Sequence, residues 1–489
     1  MLGPSSDVFF VRIGDSMKLD IRTNLRRNLL AGGINRLLMM LLPFLNRTLF
    51  LWLLGPEYLG LNGLFGSILG MLSLAELGFG TAIVCSLYKP IADDDQELIC
   101  AYLAFYQKVY RVIGGLVCVV GLALLPFLRV LVKGDIPDGI SLHLLYVIHL
   151  LNTTVGYFLF AYKGALLSAH QREDIHSHIR TSILLAQYLT TFALLILTRN
   201  YTLYVLSTVL FTIATNLCIE WQTRRLFPQL KPAGVLLPEH RAVVIRDVKA
   251  IFLHKIGTVI SYSADNLVIS SFLGLVAVAA YGNYYYVTTS VGGAVYIIFN
   301  SLTAGFGNTI KTESVDENFA RFMRALKLST PVIGFCAFMM MLLYQPFIYL
   351  WTKGNPDLVM PLLTPILMVL YFYVNYSRQL LQTFKSAAGL WKEDQWKPIT
   401  SALVNLTLNL SMIHKFGLNG VIFSTIVSFA FIEIPWEASV VFKCYFQETN
   451  GAHDYSRRYW LYQLKAFLAT VLACAIAAYL STCIPKVTL

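Results

Sequence analysis

A few ionisable side chains lie inside stretches that are otherwise apolar: Arg36 and Arg47, then Glu76, Lys255 and Asp265, then Arg378, Glu433 and Glu437. A charge at the centre of a bilayer costs roughly 2.5–3.5 kcal/mol even on a lenient insertion scale, so each needs a partner, a wet cavity or a ligand. Lys255, Arg378 and Glu437 sit near the ends of their apolar runs, where long side chains reach the interface; Arg47, Glu76 and Asp265 are placed deeper. Arg36 and Arg47 are about three helical turns apart, so they project from nearly one helix face, roughly 16 Å apart in depth. Guanidinium groups so arranged suit a phosphate-rich anion, which arginine holds through paired hydrogen bonds without losing its proton. The competing reading is structural: Arg36 snorkels to the interface and Arg47 pairs with Glu76.

Glu76 lies in SLAELGFGTAIV (73–84). On a continuous helix it shares a small, polar stripe about 60° wide with Asn62, Ser73 and Gly80, which points it into a protein seam. Asp265 and Asn266 follow Ser261 and Ser263, a set that suits a cation or proton site, donors for sugar hydroxyls, or an interhelical clamp. Asn62 and Asn283 fall near the starts of apolar runs and read either as sugar contacts or as helix caps. Tyr373 accompanies Arg378 and reads as cavity lining, whereas Tyr281, Tyr284, Tyr285 and Tyr286 read as an interfacial belt. The expected substrate contacts are thus Arg36, Arg47, Asn62, Asn283, Arg378 and Tyr373, with Glu76, Asp265 and Asn266 for ion coupling or gating. His170, His176 and His178 share one polar loop and read as solvated. No glycine-rich loop ending in GK[ST] is present, so neither an ATP motor nor a cofactor is expected.

The elements that carry these residues follow from composition. The chain is 56% hydrophobic and 13% charged, about half the charge of a soluble domain. Its apolar runs of roughly 18–27 residues are each long enough to cross a hydrocarbon core as a helix. Thirteen spans fit between residues 29 and 484. The basic residues fall on alternate connections, roughly 28 on one side against about six on the other, which places the N-terminus in the cytoplasm. The net charge of +11 is therefore a topology signal and not a nucleic-acid footprint. The scattered cysteines read as small hydrophobes, and Met17, followed by KLDIRTNLRRN, reads as an alternative start.

The polar, proline-bearing segment 220–249 divides the chain, and a weak repeat runs across it: NRTLFLWLLG (46–55) aligns with DNLVISSFLG (265–274), and YLGLNGLF (58–65) with AYGNYYYV (280–287). The expected fold is an all-α polytopic membrane protein. Two six-helix bundles are related by a pseudo-two-fold along the membrane normal, with one or two extra C-terminal helices. Its parts are a cytoplasmic lead-in (1–28), an N-terminal lobe (29–219), the cytoplasmic linker (220–249), a C-terminal lobe (250–442) and an extra span (443–489). The outer connections come out at only about 2 to 10 residues.

The block NRTLFLWLLGPEYLGLNGLFGSILGMLSLAELGFGTAIVCSLYKPIADDD (46–95) resembles the opening of the bacterial polysaccharide flippases of the multidrug/oligosaccharidyl-lipid/polysaccharide exporter superfamily. In span order the likeness covers nearly the whole chain. It implies a non-enzymatic transporter of the bacterial inner membrane. Alternating access of two lobes would move a lipid pyrophosphate-linked oligosaccharide from the cytoplasmic to the outer leaflet, for surface polysaccharide such as lipopolysaccharide or exopolysaccharide. The partners implied are that lipid-linked substrate, the bilayer and other polysaccharide assembly proteins. A multidrug/cation antiporter of the same fold is one rival, although its cavity would be lined by acids. The other is a membrane glycosyltransferase or polymerase, which would carry a sizeable outer catalytic loop.

Overall fold

Glycine sets the turns of this architecture. The computed structural model describes residues 41–76, 79–134, 136–137, 139–446 and 452–483, and among them no strand occurs. The first lobe comprises α1 (Leu41–Leu54), α2 (Pro56–Leu72), α3 (Phe79–Ala92), α4 (Gln96–Ala123), α5 (Leu142–Phe158), α6 (Ala161–Ala169), α7 (Glu173–Thr198) and α8 (Tyr201–Leu226). The second comprises α9 (Pro238–Leu273), α10 (Leu275–Thr312), α11 (Val315–Trp351), α12 (Leu363–Ser377), α13 (Gln379–Ala388), α14 (Lys397–Ser428) and α15 (Ile434–Val440). A last helix, α16 (Ala452–Cys483), packs on α11. The non-helical connection between α8 and α9 covers 227–237.

Seven helices among the described residues are each long and apolar enough to cross a bilayer, and α5 with the following helix, bent by 50°, makes an eighth. Two further expected spans are helical but interrupted: the second is broken into α2, a 3-10 turn at Ser73–Glu76, and α3, and the tenth pauses at Arg378 between α12 and α13. The eleventh and twelfth together make one of the seven, through α14, which turns at Gly417. The seventh lies on α9, a continuous helix, and the first begins outside the described residues.

The repeat is legible in backbone angles. Gly55 (φ 105, ψ 172) and Gly274 (φ 94, ψ 179) each end the first helix of a lobe and start the next. L-residues with a Cβ avoid that region, so a glycine at each place lets two long helices reverse with no loop. The fourth helix of each lobe is likewise broken, at Leu159–Phe160 and at Arg378. A second repeat appears in the connections after the third helix of each lobe, KGDIPD (133–138) and KGNPD (353–357). Gly134 and Gly354 both take positive φ.

These two connections reach across to the opposite lobe. Lys133 donates from its backbone N to Ser270 O at 3.1 Å and from Nζ to Phe272 O at 2.6 Å, while the Ser270 hydroxyl donates to Leu131 O at 2.6 Å. In return, Trp351 Nε1 donates to the Thr48 hydroxyl at 2.8 Å, Trp52 Nε1 donates to Trp351 O at 2.9 Å, and Lys353 Nζ sits 4.0 Å over the Trp52 ring. Each lobe thus clasps the last turns of the other's first helix. The segment 124–141 that makes one clasp exceeds the short outer connection expected, because α4 ends at Ala123 and a 3-10 turn, Leu125–Phe127, follows.

Gly274→Ala should lower the melting temperature of the purified protein. The side chain would enter a backbone region costing about 1–3 kcal/mol and its Cβ would stand 2.9 Å from Lys133 O. Gly66→Ala, where a Cβ meets nothing within 4 Å, should leave the temperature unchanged.

Candidate functional site

The first helices of the two lobes bring repeat-related residues to a shared seam. Arg47 on α1 donates from Nε to Asn283 Oδ1 on α10 at 2.9 Å, with Ala279 O at 3.5 Å from Nη2 and the Tyr286 ring 6.0 Å away. Asn266, which aligns with Arg47 in the repeat, donates in the opposite sense, from Nδ2 on α9 to the Ser67 hydroxyl on α2 at 2.8 Å. A cavity of about 280 Å³ lies between them, lined by Arg47, Asn266, Gly63, Tyr285, Tyr286 and Thr289 among others. Within it Asn266 Oδ1 is buried with no hydrogen-bond partner, and so is Asn283 Nδ2 beside it. Among the described residues no carboxylate lies within ion-pair distance of Arg47, so the expected Arg47–Glu76 pair does not form.

Glu76 stands elsewhere. It closes the 3-10 turn after α2 and accepts hydrogen bonds from Tyr157 (2.7 Å to Oε2) and Tyr110 (3.5 Å to Oε1), both in its own lobe. The stripe drawn on a continuous helix is lost because the helix changes pitch there. Asp265 is held wholly within the second lobe: Asn409 Nδ2 donates to Oδ1 at 2.7 Å, while the Tyr281 and Thr425 hydroxyls donate to Oδ2 at 3.1 and 3.4 Å. Asn405 joins through Asn409 (3.2 Å) and Thr425 (2.9 Å). This oxygen-rich nest ties α9, α10 and both arms of α14.

Other expectations are corrected. Neither asparagine is a cap: Asn62 accepts from the Tyr201 hydroxyl at 3.3 Å inside the first lobe, and Asn283 is fully buried well inside α10. Tyr373 does not share a cavity with Arg378. It faces Phe467 of α16 (5.6 Å between centroids) in an apolar cavity of about 330 Å³ between α11, α12 and α16. The tyrosine run is no interfacial belt, since Tyr284 is buried and donates to Gln345 Oε1 at 2.6 Å. Arg36 and the lead-in 1–28 lie outside the described residues.

Arg378 belongs to a buried cluster that extends well beyond the residues expected. It pairs with Glu433 and lies 3.7 Å from Glu437; Lys385 pairs with Asp394; Lys397 pairs with Glu437 and lies 3.5 Å from Asp394. All six are at most 8% exposed. Gln382 donates to Glu437 at 3.0 Å and Ser401 to Glu433 at 2.7 Å. The first lobe has a simpler counterpart: Lys163, just past its broken fourth helix, pairs with Glu220 of α8, both buried. In each lobe, then, a cation beside the interrupted fourth helix meets a carboxylate on the sixth. Lys385, Asp394 and Lys397 were not singled out because they lie at the ends of apolar runs, and Glu220 because it opens the polar segment 220–249; the cross-repeat match of fourth and sixth helices is the signal that finds them.

No protein-family model matches the sequence, and no curated protein sequence matches it. Solved structures do match in fold. An inward-facing multidrug resistance MATE family transporter of the MOP superfamily aligns with a TM-score of 0.63 and 15% identity over 81% of this chain and 93% of its own. The lipid II flippase MurJ in an inward closed conformation gives 0.63 and 15% over 92% and 98%. A MOP superfamily transporter from Pyrococcus furiosus, described by the reversed polarity of its binding pocket, gives 0.51 and 15% over 83% and 94%.

Because the buried Glu220 keeps Arg224 as a second cation when Lys163 is removed, Lys163→Met should destabilise the purified protein by less than the roughly 3 kcal/mol of a fully stranded charge. Lys163→Met with Glu220→Met should regain most of that loss in the same thermal unfolding measurement. Helices, paired lobes and structural neighbours together make this chain a multi-pass membrane protein with the two-lobed fold of the MOP superfamily transporters.

Proposed function

We propose that the chain flips a lipid-linked oligosaccharide, carried on a pyrophosphate, from the cytoplasmic to the outer leaflet of the bacterial inner membrane by alternating access of its two lobes. The observation that carries this reading is Arg47, half-buried at the seam between the lobes. Among the described residues this guanidinium between two lobes meets an amide, a carbonyl and an aromatic ring but no carboxylate. A low-dielectric site strongly favours a counter-charge there, and a pyrophosphate supplies it with geometry matched to the guanidinium fork. The unpartnered Asn266 Oδ1 and Asn283 Nδ2 add an acceptor and a donor for the groups next to the phosphate. With the N-terminus cytoplasmic, the reciprocal clasps lie at the outer face and part when the outer side opens. A fold shared with a flippase accords with this cargo.

Arg47→Ala should cut surface glycan by about tenfold or more in cells that depend on this protein, the scale of losing a charged hydrogen bond of about 1.5–3 kcal/mol. Arg47→Lys should restore it only in part, because ammonium lacks the planar fork. Unchanged glycan display at equal protein level sinks the head-group role.

The second reading, an ion-coupled cation antiporter, is favoured by Asp265, a fully buried carboxylate ringed by side-chain oxygens. Within the flippase reading the same residue is the coupling candidate. In proteoliposomes, transport should depend on a proton or sodium gradient in the wild type and lose that dependence in Asp265→Asn. Gradient-driven efflux of a cationic dye, lost in the same variant, would transfer the assignment to the antiporter.

A further inference from the structure

A polar cavity larger than the one at Arg47 lies away from the seam. It lies inside the second lobe, measures about 570 Å³, and is walled by α10, α12, α13 and the start of α14. That volume is within the roughly 300–1,000 Å³ of small-molecule sites. From the turn at Gly274, its α10 residues Tyr296, Asn300 and Thr303 are about 33–44 Å along the helix. The cavity therefore opens near the membrane face opposite the clasps.

Its chemistry differs from that of the seam. The buried wall holds three cations, Arg378, Lys385 and Lys397, and two carboxylates, Asp394 and Glu433, with Glu437 behind it completing the cluster. With charges balanced, the wall offers no net field to draw either a phosphate or a cationic drug, but it presents fixed, charge-polarised donors and acceptors. Two acceptors keep spare capacity: Asp394 Oδ1 and Glu437 Oε2 are buried with no hydrogen-bond partner among the described residues. The first belongs to a lining residue that is fully buried. The mouth carries amides and aromatic rings, with Asn300, Gln379, Tyr296 and Trp391 around the opening. Unfilled carboxylate oxygens call for O–H donors, and flat amphipathic rings beside them offer an apolar face. Hydroxyl groups arrayed on a ring with apolar C–H faces meet both demands.

We propose that this cavity is a carbohydrate site, which takes uncharged sugar rings of the cargo through Asp394, Arg378 and the rim residues Asn300 and Trp391. The inference rests on the flippase reading for the presence of a glycan but names a place separate from Arg47. The two sites then divide the cargo, with phosphate at the lobe seam and sugar within the second lobe. Burial of so many charges is poor value for stability alone. It does hold the polar wall rigid before the ligand arrives, which lowers the ordering cost of binding.

The test is ligand-observed saturation-transfer NMR on the purified full chain, with a panel of unphosphorylated sugars (glucose, galactose, rhamnose, N-acetylglucosamine and their short oligomers) and inorganic pyrophosphate as a separate probe. At least one sugar should receive saturation from the wild type. Trp391→Ala and, in case that variant is unstable, Asn300→Ala on the exposed mouth should each reduce it severalfold while the melting temperature holds. Arg47→Ala should leave the sugar signal intact. Absence of any sugar signal from the wild type overturns the proposal, as does a signal that both mouth variants retain. Competition by pyrophosphate that Asn300→Ala abolishes would also overturn it, in favour of an anion site. If the sugar signal behaves as expected while Arg47→Ala leaves glycan display unchanged, the phosphate role of Arg47 fails and the carbohydrate site stands.

Discussion

The cost of holding a charge away from water governs this molecule. In bulk solvent a lysine and a glutamate need no partner; within packed membrane helices each needs an opposite charge, a ring of hydrogen bonds or a ligand. The chain uses all three solutions. Lys163 with Glu220, and the six-residue cluster around Arg378, are compensated by opposite charge. Glu76 and Asp265 are compensated by hydroxyl and amide donors from their own lobes. Arg47, among the described residues, has an amide, a carbonyl and a tyrosine ring and no carboxylate, and it stands where two lobes meet. The distribution separates what consolidates each lobe from what lies between them.

Duplication explains where these solutions occur. A lobe that occurs twice carries its broken fourth helix twice, and in each a buried cation at or just after the break meets a carboxylate of the sixth helix. The copies have diverged unequally. In the first lobe Glu220 takes two cations, the buried Lys163 and the exposed Arg224, whereas the second lobe holds a six-residue cluster beside a cavity. At the seam the copies diverged in sign: the position held by Arg47 in one lobe is Asn266 in the other. The two-fold is therefore preserved in backbone and broken in charge.

Much of the frame was readable from residues. The alignment of 46–55 with 265–274 predicted two matched lobes, and the structure returns it as matched backbone angles at Gly55 and Gly274. Arg47, Asn266 and Asn283 were named individually, but their meeting was not, since the Arg47–Asn283 contact joins residues 236 apart and depends on how the lobes dock. Glu76 was placed on the wrong neighbours because a wheel assumes constant pitch, and the chain switches to a tighter turn at Ser73. Asp394 and Lys397 sit in WKEDQWK, a stretch that reads as solvated by composition. Their burial is a property of the packing around them and has no local signature. The KGDIPD and KGNPD loops were legible as strings, yet lay in connections that hydropathy treats as featureless.

Those loops give the frame a property that neither lobe has alone. Each reaches over to hold the opposite first helix, so the two contacts are wired crosswise. A displacement that frees one loop leaves the other contact in place, so separating the lobes at this end requires both to break.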